Sequence, residues 1–128
     1  MAVEERQEGR SPDASPARIA NYADFFDFYL MEHRSPRSRA LHYLGTMAAS
    51  ALVIAAIVTG RPLLLVLALL FGYGPAWIGH FVFERNRPAT FRYPLWSLVS
   101  DYRMVYLWLR GEIDAALQAA ERRTGRAA

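Results

Sequence analysis

Three histidines and one glutamate are the residues of this 128-residue chain whose types and placement could do chemistry. His42 opens an uncharged run enclosed by Arg39 and Arg61, and His33 stands just before it. His80 lies near the end of a second uncharged run, between Arg61 and Glu84. If the two runs cross a membrane as a hairpin, the start of the first and the end of the second share one side. His33, His42, His80 and Glu84 then converge at one membrane surface. Imidazoles clustered with a carboxylate point to a metal site, and a sulfur-free donor set suits Fe(II), Zn(II) or Mn(II). Spacing does not choose among these metals. His80 and Glu84 are four residues apart and share a helix face, so one metal could take both, or Glu84 could orient His80 from behind. An ionisable group near the end of an apolar span is costly and usually functional. Against this, His80 reads as an interfacial histidine bonded to a carbonyl, and His33, between Glu32 and Arg34, reads as surface. Glu32 and Asp101 are further carboxylate candidates, although Asp101 is better matched to Arg103 or a loop arginine.

The elements that must position these groups follow from pattern and punctuation. Residues 1–17 are rich in Glu, Arg, Ser, Pro and Gly, bury too little to offset ordering entropy, and are expected to be disordered. They lack the apolar stretch of a signal peptide. Ile19 to about His33 reads as a short helix dense in aromatics, either packed in a core or lying at headgroup level. Ser35 can cap a new helix with Pro36 at its first position. That break matters, because residues nine apart on one straight helix point about 180° apart. A bend near Pro36 lets His33 fold back toward His42.

The second helix is wholly apolar from Tyr43 to Thr59, and its seventeen residues span roughly 26 Å against a hydrocarbon core of ~30 Å. Arg39 and Arg61 can snorkel across the shortfall. Gly60-Arg61-Pro62 is a tight turn. Leu63 to Phe83 is long enough to span, with Gly72-Tyr73-Gly74-Pro75 inside it. Pro75 should kink or break the helix, and a broken membrane helix usually lines a cavity. Pro88 and Pro94 bracket an irregular stretch. Leu95, Leu98, Val99, Tyr102, Val105, Tyr106, Leu109 and Ile113 then form an apolar stripe at helical spacing, for packing on the hairpin or the membrane surface. Gly111 weakens this helix, and the tail over 121–128 is expected to fray.

Composition excludes several classes. Without cysteine there are no disulfides, thiolate metal sites or cysteine nucleophiles. The net charge of +3 hides an asymmetry of −2 over residues 1–17 and +5 over the rest. The arginines cluster at 34–39 and 85–92, the outer ends of the apolar runs, and form no single face for nucleic acid, which is not an expected partner. The connecting turn carries only Arg61, so the positive-inside rule places both termini in the cytoplasm. There is no phosphate loop, and no serine sits in a nucleophile elbow.

The segment Glu32-His33-Arg34-Ser35-Pro36-Arg37-Ser38-Arg39-Ala40-Leu41-His42-Tyr43-Leu44-Gly45-Thr46 resembles the first signature of the Mpo1-like family, long catalogued as a domain of unknown function. The segment Ala76-Trp77-Ile78-Gly79-His80-Phe81-Val82-Phe83-Glu84-Arg85-Asn86-Arg87-Pro88-Ala89-Thr90-Phe91 resembles its second, and Pro94-Leu95-Trp96-Ser97-Leu98 with Asp101 continues the likeness. The resemblance covers roughly residues 22–110, of the short bacterial-type branch. It implies an Fe(II)-dependent dioxygenase that shortens 2-hydroxy fatty acids by one carbon, as the yeast endoplasmic-reticulum member does. His33, His42 and His80 fall on the family's motif histidines and Glu84 on its glutamate. Ser38 stands where the pattern often has Asn. With three histidines, a carboxylate or water must complete any four-ligand set.

The expected fold is all-α: an aromatic N-terminal helix, a two-span membrane hairpin and an amphipathic C-terminal helix, making one membrane domain over 18–120. The expected function is a non-haem Fe(II) dioxygenase using O2 on a long-chain 2-hydroxy fatty acid, with metal on His33, His42 and His80 and Glu84 catalytic. Arg37, Arg85 or Arg87 would hold the substrate carboxylate bidentately. The location is an integral membrane, the inner membrane in a bacterium. A zinc-dependent hydrolase on the same ligands and a non-enzymatic hairpin that binds lipid remain the alternatives, and homo-oligomerisation stays open.

Overall fold

A computed structural model of the chain describes residues 18–125; the tail over 1–17 and the last three residues lie outside the described residues. The described residues are all-helical. Helix α1 (Tyr22–Met31) leads to α2 (Pro36–Thr59) and α3 (Leu63–Ile78), which continues as a π-helical turn over Gly79–Glu84. After a 3-10 turn (Ala89–Phe91) come α4 (Pro94–Leu109) and α5 (Ile113–Thr124).

Local chemistry sets the boundaries. Asn21 caps α1 by accepting from the Asp24 amide at 2.9 Å. Ser35 caps α2, with Pro36 at its first position, where no amide partner is needed. Gly60 ends α2 at φ 67, a left-handed value that glycine adopts without strain. Gly111, at φ 70, divides the C-terminal stripe into α4 and α5. Helix α5 runs on to Thr124, because Arg123 forms a two-pronged pair with Asp27 of α1 at 2.8 Å and 2.8 Å. The fraying expected from 121 is therefore displaced by helix over its first four residues.

The core lies at the arginine-rich end of the hairpin. Phe25, Phe26, Tyr29, Leu30 and Met31 of α1 bury against Tyr93, Met104, Val105, Ile113 and Ala120. Of the two readings of α1, core packing is the one seen. Arg103 lies 3.9 Å above the Phe26 ring rather than on Asp101.

Helices α2 and α3 pack through small residues. A Cβ on Gly45 would stand 2.9 Å from the Phe71 carbonyl oxygen and 3.2 Å from that of Gly72, and one on Gly72 would stand 3.2 Å from the Ala49 methyl. Pro75 deprives the Phe71 carbonyl of its usual donor four residues on, and Gly45 lets α2 approach that oxygen. The helix is accordingly not interrupted at Pro75; the departure from α geometry comes later, at Gly79. Close approach through Gly and Ala is how helices associate where lipid removes the hydrophobic drive.

Two helical stretches, Pro36–Thr59 and Leu63–Glu84, are long and apolar enough to cross a membrane. Only 22% and 17% of their most apolar windows are buried within the protein, whereas the core helix of a soluble protein is mostly covered. Leu44, Ile54, Ile57, Val58, Leu63 and Leu70 all face outward. The α4 stripe does the same. Leu95, Leu98, Val99, Tyr102, Tyr106 and Leu109 are exposed, while Ser97, Ser100 and Met104 face inward. Only Val105 and Ile113 of that stripe are buried.

Candidate metal centre

The bend at Ser35–Pro36 turns the chain so that His33, at the end of α1, faces α2. His42 stands one turn beyond Ser38 on α2, and His80 follows Gly79 in the π turn. Gly79 makes the approach possible, since a Cβ there would meet the Ser38 Oγ at 2.9 Å and the Ser38 Cα at 3.3 Å. The π turn and α2 thus touch at the residues beside and one turn before the two imidazoles. All three histidines are buried, at 0%, 4% and 2% exposure for His33, His42 and His80, and their ligating nitrogens lie within 4.8 Å of one another. Their ring planes are mutually steep, at 90°, 76° and 86°.

Each imidazole is held by its Nδ1. That of His33 lies 2.6 Å from the Tyr29 carbonyl, that of His42 3.0 Å from the Ser38 carbonyl, and that of His80 2.6 Å from the Asn86 Oδ1. The Asn86 amide is oriented in turn, because its Nδ2 donates to the Glu32 carbonyl at 3.0 Å. A carbonyl oxygen can only accept, so every Nδ1 carries the proton and every Nε2 a lone pair. The Nε2 atoms of His33 and His42 are 3.0 Å apart. Two lone pairs at that distance repel unless a cation or a shared proton lies between them. A separation of 3.0 Å is short enough for both nitrogens to reach one ion at metal–nitrogen distances of ~2.1 Å, so the pair could hold a transition metal. Burial, then His42 and His80, hold the His33 imidazole well below its usual range, which keeps it neutral, the form able to bind a metal, at neutral pH.

The remaining site residues fall in different places. Glu84 is not in the cluster. Its Oε1 accepts from the Ser35 amide at 2.5 Å, at the start of α2, where a carboxylate satisfies an orphan donor and complements the helix dipole. The partner expected for His80 in Glu84 is Asn86 instead. Arg37 is exposed and lies 5.9 Å from the Phe83 ring centre. Arg85 is exposed in a left-handed conformation at φ 55, and Arg87 borders a separate recess with Glu32 and Arg92. The buried arginine is Arg39, whose Nη1 donates to the His33 and Arg34 carbonyls at 2.9 Å and 2.7 Å and so pins the segment carrying His33.

His42 also lines a cavity of about 410 Å³ between α2, α3 and α4. Along α2 this cavity reaches Val53, eleven residues or roughly 16 Å from His42. The stretch from Gly72 to Trp77 contributes Gly72, Tyr73, Ala76 and Trp77 to its wall, so the segment around Pro75 does line a cavity. Tyr29 joins cavity and metal cluster. Its ring lies 4.1 Å from the His33 ring and its hydroxyl donates to Asp101. Burial and Asp101 hold that hydroxyl well above its usual range, so it remains a donor. Neither Asn86 nor Tyr29 was identified as a site residue from sequence.

Asn86→Ala is expected to lower metal affinity by about 10–100-fold, because His80 loses the acceptor that fixes its tautomer. Titration of the purified protein with Co(II), followed by its absorption spectrum, measures this. Unchanged affinity would remove Asn86 from the site.

A family model described as 2-hydroxy-palmitic acid dioxygenase Mpo1-like matches residues 19–113. No curated protein and no solved structure matches the chain.

Proposed function

Because the chain belongs to the Mpo1-like family, we propose that it is a non-haem Fe(II) dioxygenase that shortens long-chain 2-hydroxy fatty acids by one carbon at a membrane surface. The observation that carries this reading is the convergence of three buried, tautomer-fixed imidazoles, one of which, His42, lines a largely apolar cavity. His33, His42 and His80 would hold the ion. Fe(II) would supply the single-electron chemistry that ground-state O2 requires. The chain's own residues do the rest. Tyr29, Ser38 and Asn86 fix the three rings, and Arg39 fixes the backbone between α1 and α2. Glu84 ties the π turn to the start of α2, so its role is to hold His80 against His42. The cavity wall takes the acyl chain and keeps water from it, and His42 at its end directs the acid group toward the imidazoles.

None of Arg37, Arg85 and Arg87 lines this cavity. At the membrane surface they would meet anionic headgroups and keep both termini on the cytoplasmic side. The chain lacks cysteine, so a single cysteine reports position without background. A cysteine at Arg61 is expected to react with an impermeant reagent applied outside the membrane, and one at the exposed Arg37 only after the membrane is opened. Reversed labelling would refute this orientation, and extraction without detergent would refute the spans.

Elemental analysis of protein purified without a metal-affinity tag tests the metal. Near-stoichiometric iron supports the dioxygenase, zinc moves the reading to a hydrolase on the same ligands, and absence of metal moves it to a lipid-binding hairpin.

A further inference from the structure

The α4 wall of the cavity is polar where an acyl chain alone needs no polar group. Ser97 and Asp101 are four residues apart on α4, share a helix face and both line the cavity. Ser97 is 2% exposed, and its Oγ has no hydrogen-bond partner. A buried hydroxyl left in that state is costly and calls for a reason. Asp101 accepts from the Tyr29 hydroxyl, which leaves acceptor capacity on the carboxylate. Burial pushes the Asp101 carboxyl up to about 6. A desolvated carboxylate with spare acceptor capacity is stabilised by a further donor such as a hydroxyl. Tyr29 touches His33 and lines the same cavity as His42, so this polar patch lies toward the imidazole end.

We infer that Ser97 and Asp101 form a hydroxyl-binding subsite, which selects an acid bearing a hydroxyl near its head over the plain acid. The ligand hydroxyl donates to the Asp101 carboxylate and accepts from the Ser97 Oγ, and Tyr29 orients Asp101. The inference rests on the acyl-chain reading of the cavity and adds to it a source of substrate selection that needs no metal.

The test is competition against a fluorescent fatty acid bound to the full chain in detergent, with chelator present so that no preference arises at a metal. Palmitic, 2-hydroxypalmitic and 3-hydroxypalmitic acids are the competitors, and the better hydroxylated acid locates the hydroxyl. It is expected to compete at about tenfold lower concentration than palmitic acid, as two modest hydrogen bonds provide. Ser97→Ala should bring the hydroxylated and plain acids within about twofold while leaving palmitic acid unchanged. The Tyr29→Phe/Asp101→Leu double variant removes both partners of the existing bond, leaves no unpaired group and should do the same. If that variant fails to fold, Ser97→Ala alone decides. Equal competition by all three acids in the unaltered protein, or a preference that survives Ser97→Ala, overturns the subsite. Failure of every acid to displace the probe overturns the acyl-cavity reading beneath it.

Discussion

His42→Ala and His80→Ala are each expected to abolish metal retention, and with it the response of the protein to a chelator. Metal that binds only the folded state stabilises it by mass action, so stripping the unaltered protein should lower its melting temperature. In either variant the same treatment should change nothing. The chelator comparison is needed because these histidines are buried and each alanine also leaves a cavity, at about 1–3 kcal/mol of packing. Loss of stability alone therefore proves little; loss of the chelator response separates ligand from filler. Helical content measured by circular dichroism at low temperature should stay close to that of the parent, since both helices are held elsewhere by α2–α3 packing. A His42→Ala protein that still binds one equivalent of metal, or whose melting still responds to chelator, would sink the metal centre.

The readable part of this centre was local. Ser35-Pro36 and Gly60 carry their boundary signals in their own residue types, and the uncharged runs declare their length by composition. The two runs taken as a hairpin bring His42 and His80 to one side, and the break at Ser35-Pro36 is what lets His33 join them. What sequence hid was set by tertiary approach. Asn86 reaches His80 only after a left-handed residue at Arg85 turns the chain back. Two of the three imidazole partners are main-chain carbonyls, which have no sequence signature at all. Glu84 stood at helical spacing from His80, and that spacing says nothing of the competing amide of Ser35, some fifty residues earlier in the chain. The Tyr29–Asp101 and Arg123–Asp27 pairs join residues still farther apart. The stripe on α4 was visible as a period, but a period has no inside or outside. Its leucines face outward because the inner face of α4 is occupied by Ser97, Ser100 and Asp101, which meet Tyr22, Tyr29 and the cavity.

Iron-loaded protein in detergent is expected to consume O2 when given a long-chain 2-hydroxy fatty acid, and to release CO2 and an acid one carbon shorter. The reaction balances without a further reductant. The 2-hydroxy acid and one O2 give the shorter acid, CO2 and water, with four electrons leaving the substrate and four entering O2. Oxygen uptake and CO2 release should therefore match one to one. The unhydroxylated acid should turn over poorly, because oxidation at C2 would have to begin from a C–H bond with no oxygen on that carbon. Chain length gives a second, independent check. The cavity wall is mostly apolar along α2 and α3, and each buried methylene contributes ~0.8 kcal/mol, so a substrate shorter by four methylenes should lose about two-hundredfold in kcat/KM. A short acid that works as well as a long one would show that the cavity does not hold the chain. Equal turnover of hydroxylated and plain acids would show that the hydroxyl takes no part. No oxygen uptake from a protein shown to carry iron on its histidines would leave the metal centre standing and remove the dioxygenase, because metal retention and O2 consumption are measured separately and only the second depends on the substrate.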